Sequence, residues 1–95
     1  MKVLNFGSLN IDMVYSVDHV VRPGETTASA ELRYFCGGKG LNQSVALARA
    51  GAEVCHAGCV GADGGRLISL LRDNGVDYSL ITEIESPSAH AIIQV

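Results

Sequence analysis

Positive charge is scarce in this sequence of 95 residues. Ten acidic side chains outnumber seven basic ones, which gives a formal net charge of −3. Because the chain has no basic surface to attract a phosphate backbone, we expect no nucleic-acid partner. No apolar run is long enough to cross a bilayer or to form a signal peptide, so we expect no membrane partner and a cytoplasmic protein.

Paired cysteine motifs are also absent. Cys36, Cys55 and Cys59 are odd in number and no two of them form a CxxC pair, which argues against a disulfide framework and a zinc site. Cys55 and Cys59 share one face of a predicted strand, about 13 Å apart, while His56 points to the other face. We therefore expect reduced, buried thiols that fill the core.

The composition is that of a globular protein, with 47% apolar and 18% charged residues and no repeat or low-complexity tract. A chain of this length buries roughly 60 to 70% of the surface of its unfolded form, so the core is thin. The apolar run 89–95 ends without a turn or a cap. We therefore expect the natural protein to continue beyond residue 95.

Apolar periodicity predicts alternating strands and helices. We expect strands over residues 2–9 and 53–60, and a helix from about Leu41 to Ala50 that Gly51 ends. A second helix follows, with Asp63 as its N-cap, an apolar stripe at Leu67, Leu70 and Leu71, and Gly75 at its end. This order predicts a parallel α/β layer. Turn residues over 22–27 separate two further extended segments, 14–21 and 31–35, which predict an inserted antiparallel hairpin.

Asn10 and Asp12 form the first candidate site. They follow the first predicted strand and lie two residues apart, so extended backbone points both side chains to one side. Ligands of open α/β sheets bind beyond the carboxyl ends of the strands, and an amide beside a carboxylate suits hydroxyl groups. The alternative is that Asp12 only caps a turn.

The glycine-rich segment 37–43, Gly-Gly-Lys-Gly-Leu-Asn-Gln, forms the second candidate site. It places glycines, a cation and two amides at a helix start, where free N–H groups favour an oxygen-rich or anionic ligand. Gly40 follows Lys39 where a Walker A motif requires serine or threonine, so direct triphosphate binding is not supported. From the residues alone, a tight turn without function remains equally open.

Other candidate groups have no partners in the sequence. The three histidines, His19, His56 and His90, stand apart from one another and from suitably spaced carboxylates, so we interpret them as surface or core residues and not as general bases. Ser8 has no nucleophile-elbow context, which argues against a hydrolase.

Five motifs in the sequence follow the order of a known family. They are Gly7-Ser8-Leu9-Asn10-Ile11-Asp12, Pro23-Gly24-Glu25-Thr26, Gly37-Gly38-Lys39-Gly40-Leu41-Asn42-Gln43-Ser44, Gly58-Cys59-Val60-Gly61-Ala62-Asp63 and Gly75-Val76-Asp77. In this order they resemble the amino-terminal third of the ribokinase (pfkB) family of sugar kinases. The resemblance covers nearly the whole chain, and its middle block is the most specific part.

The resemblance implies an α/β fold, a doubly wound ribokinase-like sheet with a small β-sheet lid, of which residues 1–95 form the amino-terminal part. Segments 12–35 and 88–95 would form much of the lid, which also supplies the interface of a homodimer. The sugar would lie between lid and main sheet. It would contact the matching residues of the family's motif: Asn10, Asp12, Gly38, Lys39 and Asn42.

The reaction that the resemblance implies transfers the γ-phosphoryl group of ATP to a primary sugar hydroxyl, with Mg²⁺ on the phosphates and often K⁺ as an activator. The family's catalytic base is an Asp in a Gly-Ala-Gly-Asp motif, which has no counterpart here. We therefore expect no catalytic residue in this segment, a base beyond residue 95 and no activity of the isolated chain.

Two departures from the family pattern bear on the sugar. Segment 63–75 is slightly short, with Gly64-Gly65 in place of bulkier residues, and Ser88-Ala89-His90 replaces the usual Thr-Gly pair near the sugar. The substrate therefore stays open among ribose, fructose, another ketose or aldose derivative and a nucleoside. A non-catalytic sugar-binding or dimerisation module made from the kinase fold is the alternative to an enzyme.

Overall fold

The computed structural model describes residues 2–95, which form two helices and six strands in two three-stranded sheets. The elements are β1 (Lys2–Phe6), β2 (Asn10–Ser16), β3 (Glu31–Gly37), α1 (Lys39–Arg49), β4 (Glu53–Val60), α2 (Gly65–Asp73), β5 (Asp77–Glu83) and β6 (Ala89–Gln94). The predicted α/β class, with a parallel sheet and a second sheet, is confirmed.

The main sheet has the strand order β1-β4-β5, and its strands are all parallel. Helix α1 connects the second sheet to β4 and packs against β1 and β4, while α2 connects β4 to β5. Strand β5 is an element that the sequence analysis did not predict. Its residues are mostly polar and exposed, so it lacks the apolar run of a buried strand, and only pairing with β4 identifies it.

The second sheet has the order β3-β2-β6. β2 and β3 pair antiparallel, from Asn10 opposite Gly37 to Ser16 opposite Glu31, which confirms the antiparallel pairing. The predicted bounds are wrong: the first strand ends at Phe6 and not at residue 9, and the next covers Asn10–Ser16 and not residues 14–21. β6 pairs with the other edge of β2 in parallel, with Ala89 opposite Asn10. Its strands lie largely within the segments assigned to a lid, 12–35 and 88–95, and that assignment stays a prediction.

Glycines end both helices as predicted. Gly51 has φ 96° and Gly75 has φ 76°, and this left-handed backbone follows the last turn of α1 and α2. The prediction of Asp63 as the N-cap of the second helix is wrong. Gly64 occupies the cap position, and no side chain caps the helix. The Asp63 carboxylate instead accepts a hydrogen bond from the backbone N–H of Ser88 at 2.8 Å.

The core is thin and lies between the helices and one face of the main sheet. Its buried apolar residues are Leu9, Ile11, Leu41, Val54, Val60, Leu67, Leu71 and Val76.

The prediction of three buried thiols is wrong: Cys59 is exposed and Cys36 and Cys55 are half-buried, although all three are free. Cys55 and Cys59 lie on the face of β4 that is turned away from the helices, the face that also exposes Leu4 and Phe6. In the part of the chain that the structure describes, no helix is long and apolar enough to cross a membrane.

Candidate functional site

Asn10 and Asp12 point to the same side of β2, as their spacing predicts. The Asn10 amide Nδ2 donates a hydrogen bond to Asp12 Oδ1 at 3.3 Å, and both side chains are half-buried. Asp12 lies inside a strand, so the alternative that it only caps a turn is wrong. The carboxylate faces Gly37 on β3, where a Cβ atom would lie 2.5 Å from Asp12 Oδ2. A glycine at this position therefore leaves the space that the Asp12 side chain occupies.

Gly38 brings the start of α1 against Asn10. Its φ of 106° is a conformation that residues with a side chain rarely adopt. A Cβ atom here would lie 2.5 Å from the carbonyl oxygen of Ser8 and 2.7 Å from Asn10 Oδ1, so only glycine fits. The structure thus places Asn10, Asp12 and Gly38 next to one another, although they come from different parts of the sequence.

Lys39 and Asn42 lie on the first turn of α1, three residues apart and therefore on one side of the helix. Both are exposed. Among residues 2–95, neither the Lys39 ammonium nor the Asn42 amide makes a hydrogen bond or an ion pair with another side chain. Their polar groups are therefore available to a ligand at the helix start.

The expectation of free N–H groups at this helix start is only partly correct. Gly40 N–H donates to Ser8 Oγ at 3.4 Å, and Leu41 N–H donates to the Ser8 carbonyl oxygen at 3.0 Å. Ser8 lies in the connection between β1 and β2, so it caps α1 from a distant part of the chain. Two of the N–H groups that could hold an anion are used in this way, which leaves side chains as the main ligand-binding groups.

Sequence reasoning missed a buried polar network directly behind this helix start. His56 and Ser44 have no exposed surface, and Ser44 Oγ lies 2.6 Å from His56 Nδ1. His56 Nε2 lies 3.0 Å from the Gly7 carbonyl oxygen, and Asn5 Nδ2 donates to Ser44 Oγ and to the Gly40 carbonyl oxygen, both at 2.9 Å. Asn5 and His56 are neighbours in the parallel pairing of β1 with β4. The sequence could have indicated their contact only if that pairing had been known.

A second connection joins the carboxyl end of β4 to the start of β6. Ser88 is 2% exposed; its Oγ accepts a hydrogen bond from Gly61 N–H at 2.8 Å, and its N–H donates to Asp63. The hydrogen bonds from the backbone and the side chain of Ser88 lower the pKa of the exposed Asp63 carboxyl below its usual value. These contacts tie the two sheets together beside the candidate site.

The fold is that of an α/β protein, and Asn10, Asp12 and Gly38 lie together beside the start of α1. The family model described as "pfkB family carbohydrate kinase" matches residues 1–95. The chain therefore belongs to the pfkB family of carbohydrate kinases, and the family prediction is confirmed.

Individual members of the family are similar to the chain along almost its whole length. It is 38% identical over 92 residues to a ribokinase of Haemophilus influenzae, a match that covers 94% of this chain and 30% of that protein. The crystal structure of ribokinase from Cryptococcus neoformans var. grubii serotype A in complex with ADP superposes with a TM-score of 0.91 and 39% identity, covering 98% of this chain and 30% of that one.

A third relative carries a sugar as well as a nucleotide. The structure of Arabidopsis thaliana ribokinase complexed with ribose and ATP has a TM-score of 0.81 and 26% identity, and covers 98% of this chain and 31% of that one. The chain thus spans about a third of the length of the relatives that it matches.

Proposed function

We propose that the complete protein is an ATP-dependent sugar kinase and that this chain supplies its sugar-binding residues, Asn10, Asp12, Gly38, Lys39 and Asn42. The observation that carries the proposal is the contact between Asn10 and Gly38, since it brings the Asp12 carboxylate and the polar first turn of α1 to one place. The ribose and ATP bound to the Arabidopsis relative support a sugar substrate and the use of ATP.

The chemistry of these groups suits the task. The Asp12 carboxylate accepts hydrogen bonds from hydroxyl groups, while the amides of Asn10 and Asn42 both donate and accept them. Phosphoryl transfer requires mainly positioning of the acceptor hydroxyl and stabilisation of negative charge. In this proposal Asn10, Asp12 and Asn42 position the sugar, and the Lys39 ammonium adds positive charge near the transferred group.

The remaining parts of the reaction belong to the rest of the protein. ATP would supply the phosphoryl group, Mg²⁺ would bind its phosphates and K⁺ would act as an activator. Within residues 2–95 no group of three or more His, Cys, Asp or Glu side chains could hold a metal ion. We place the catalytic base beyond residue 95 and expect the isolated chain to be inactive.

The second sheet is the proposed lid and dimer interface. Asn10 and Asp12 lie on one of its faces, and the opposite face exposes Tyr34 and Ile92, which lie on either side of Met13. The first face thus offers the polar groups of Asn10 and Asp12 beside the exposed ring of Phe35 to the sugar. The opposite face offers exposed apolar side chains to a second subunit. We further propose a cytoplasmic homodimer.

A non-catalytic sugar-binding or dimerisation module is the competing proposal. It predicts sugar binding without phosphoryl transfer, and the presence or absence of the base Asp in the complete sequence separates the two. The site residues of this chain serve both proposals equally, because none of them takes part in proton transfer.

The test is to incubate the complete protein with ATP, Mg²⁺ and K⁺ against pentoses, hexoses and nucleosides and to measure the ADP released. We expect one class of substrate to respond and Asp12→Ala to lower kcat/KM by roughly 100-fold or more, because the variant loses a charged acceptor for the hydrogen bonds of the sugar hydroxyls. Asp18→Ala, which removes an exposed carboxylate at the far end of β2, is the matched control and should retain activity. Equal activity of the two variants would contradict the sugar-binding role of Asp12. Sugar binding without ADP release would favour the module.

A further inference from the structure

The polar network behind the helix start involves three elements. Asn5 lies on β1, His56 lies beside it on β4, and Ser44 lies on α1, one turn beyond Gly40. Among the described residues, no buried side-chain nitrogen or oxygen lacks a hydrogen-bond partner. The network is therefore complete within the chain and needs no ligand of its own.

The groups around His56 determine which of its ring nitrogens donates a hydrogen bond and which accepts one. The Gly7 carbonyl oxygen can only accept a hydrogen bond, so His56 Nε2 must carry a hydrogen and donate it. The ring is fully buried, and Ser44 Oγ, which accepts from Asn5 Nδ2, still has its hydroxyl hydrogen to donate to His56 Nδ1. Nδ1 is then an acceptor and Ser44 is its donor, while Ser44 Oγ accepts from Asn5. The hydrogen bonds therefore all run in one direction, from Asn5 to Ser44, from Ser44 to His56 and from His56 to the Gly7 carbonyl oxygen.

The two ends of the network hold the backbone segments that form the candidate site. Its Gly7 end precedes Ser8, and its Asn5 end binds the carbonyl oxygen of Gly40 at 2.9 Å. Gly7 and Gly40 lie in direct backbone contact, because a Cβ atom on Gly40 would lie 2.6 Å from the Gly7 Cα atom. A shift of the network would thus move Ser8 and the first turn of α1 relative to each other.

We propose that Asn5, Ser44 and His56 form a positioning network, with His56 donating from Nε2 and accepting at Nδ1, that fixes the first turn of α1 against the β1–β2 connection. These are positioning residues: they would act on the sugar through Gly38, Lys39 and Asn42, and they do not touch it. This part of the proposal rests on the proposed sugar-binding function, whereas the hydrogen-bond directions do not.

Nitrogen-15 NMR of histidine side chains in the complete protein tests the hydrogen-bond directions without any ligand. We expect the His56 ring to carry its hydrogen on Nε2 and to accept at Nδ1, and His56→Phe identifies its signals. A ring protonated at Nδ1 alone, or at both nitrogens, would overturn the network.

Ser44→Ala tests the positioning role, because it leaves His56 Nδ1 without a donor and one Asn5 N–H without an acceptor. We expect KM for D-ribose to rise roughly fivefold while KM for ATP changes less than twofold. A fivefold rise has the size of about one lost hydrogen bond, and only the sugar site should be affected. Val76→Ala, in the core at the start of β5 and away from this helix start, is the control for lost stability and should leave both KM values unchanged. Equal ribose KM in the two variants would mean that the network only stabilises the fold, and would overturn the proposal.

The triple variant N5V/S44A/H56F keeps the test decisive if Ser44→Ala unfolds. Removing the three polar side chains together leaves none of them unsatisfied, and only the Gly7 and Gly40 carbonyl oxygens lose a donor. We therefore expect a higher melting temperature than for Ser44→Ala and a ribose KM closer to the wild type. A triple variant with a melting temperature and a ribose KM no better than those of Ser44→Ala would contradict the view that the three residues act as one unit.

If the wild-type protein phosphorylates no sugar of the panel, the proposed function fails and the positioning role fails with it, while the NMR result on the network still stands.

Discussion

The two sheets hold the candidate site in different ways. The main sheet is covered on one face by α1 and α2, and most of the buried apolar residues lie in this layer. The second sheet has no helix of its own, and its residues are half-buried or exposed except near Ile11 and Gly37. Lys39 and Asn42 thus belong to the better packed part, and Asn10 and Asp12 to the less packed part. The comparison teaches that the geometry of the site depends on the few connections between the sheets.

Those connections are local and specific. Gly38 fits against Ser8 and Asn10, and Ser88 joins β6 to the end of β4. On the other side of the sheet, the Arg66 guanidinium of α2 lies over the ring of Tyr34 on β3, 5.0 Å from its centroid. Ile11 of β2 also packs in the core beneath the helices, so these contacts add specific geometry to an apolar attachment, and we expect the loss of one of them to be measurable.

The largest effect is expected from Gly38→Ala in the complete protein. Alanine would need an unfavourable positive φ and would place its Cβ atom against Ser8 and Asn10, so we expect a loss of about 3 kcal/mol of unfolding free energy and of sugar binding. Urea unfolding and sugar calorimetry measure the two losses. Gly65→Ala is the control, since no atom lies within 4 Å of its added Cβ and alanine favours a helix. A stable Gly38→Ala protein that binds sugar normally would show that the sheets do not depend on this contact.

A smaller effect is expected from Ser88→Ala. The variant leaves the buried N–H of Gly61 without its acceptor, so we expect a loss of about 1 to 3 kcal/mol of unfolding free energy. Hydrogen exchange should show faster opening of β6, while β4 and α1 remain protected. Ser86→Ala, at an exposed position in the same loop, should change neither quantity. Uniformly faster exchange along the whole chain would mean that Ser88 supports the main sheet as much as the second one.

The smallest effect concerns the pH dependence of stability through Asp63. Its pKa is lower in the folded than in the unfolded chain, so its stabilising contribution is present above the unfolded pKa and is lost as the pH falls through the folded pKa. We expect the melting temperature of Asp63→Asn to lie below that of the wild type at pH 7, and the difference to shrink below about pH 4. Asp73→Asn, at an exposed residue that pairs only with its neighbour Arg72, is the control. A difference independent of pH would exclude the charge of Asp63 as the cause.

Much of the fold could be predicted because the signals are local. Apolar periodicity and the terminal glycines identify α1, β4 and α2 almost to the residue, and the hairpin follows from the turn residues between its strands. β5 was missed because its side chains are polar and its position depends on hydrogen bonds to β4. The cysteines were misplaced for a similar reason, since burial depends on which face of β4 the helices cover.

The candidate site was predicted residue by residue, but its internal contacts were not. Spacing alone places Asn10 and Asp12 on one side of a strand, and the motif 37–43 identifies the helix start. The capping of α1 by Ser8 could not be predicted, because 32 residues separate Ser8 from Gly40. The function of Asp63 was misassigned because a local helix cap and a distant Ser88 N–H compete for the same carboxylate.

The amino-acid sequence by itself determined the class of fold, the family and the candidate ligand-binding residues, since these depend on periodicity, turn chemistry and short motifs within a few residues. Only the tertiary structure decided which donors meet which acceptors: Asn5, Ser44 and His56 behind the helix start, Ser8 at its cap and Ser88 between the sheets. The physical reason is that hydrogen bonds are directional and short, so a partner far away in sequence becomes evident only when the register of the strands and the position of the helices are known.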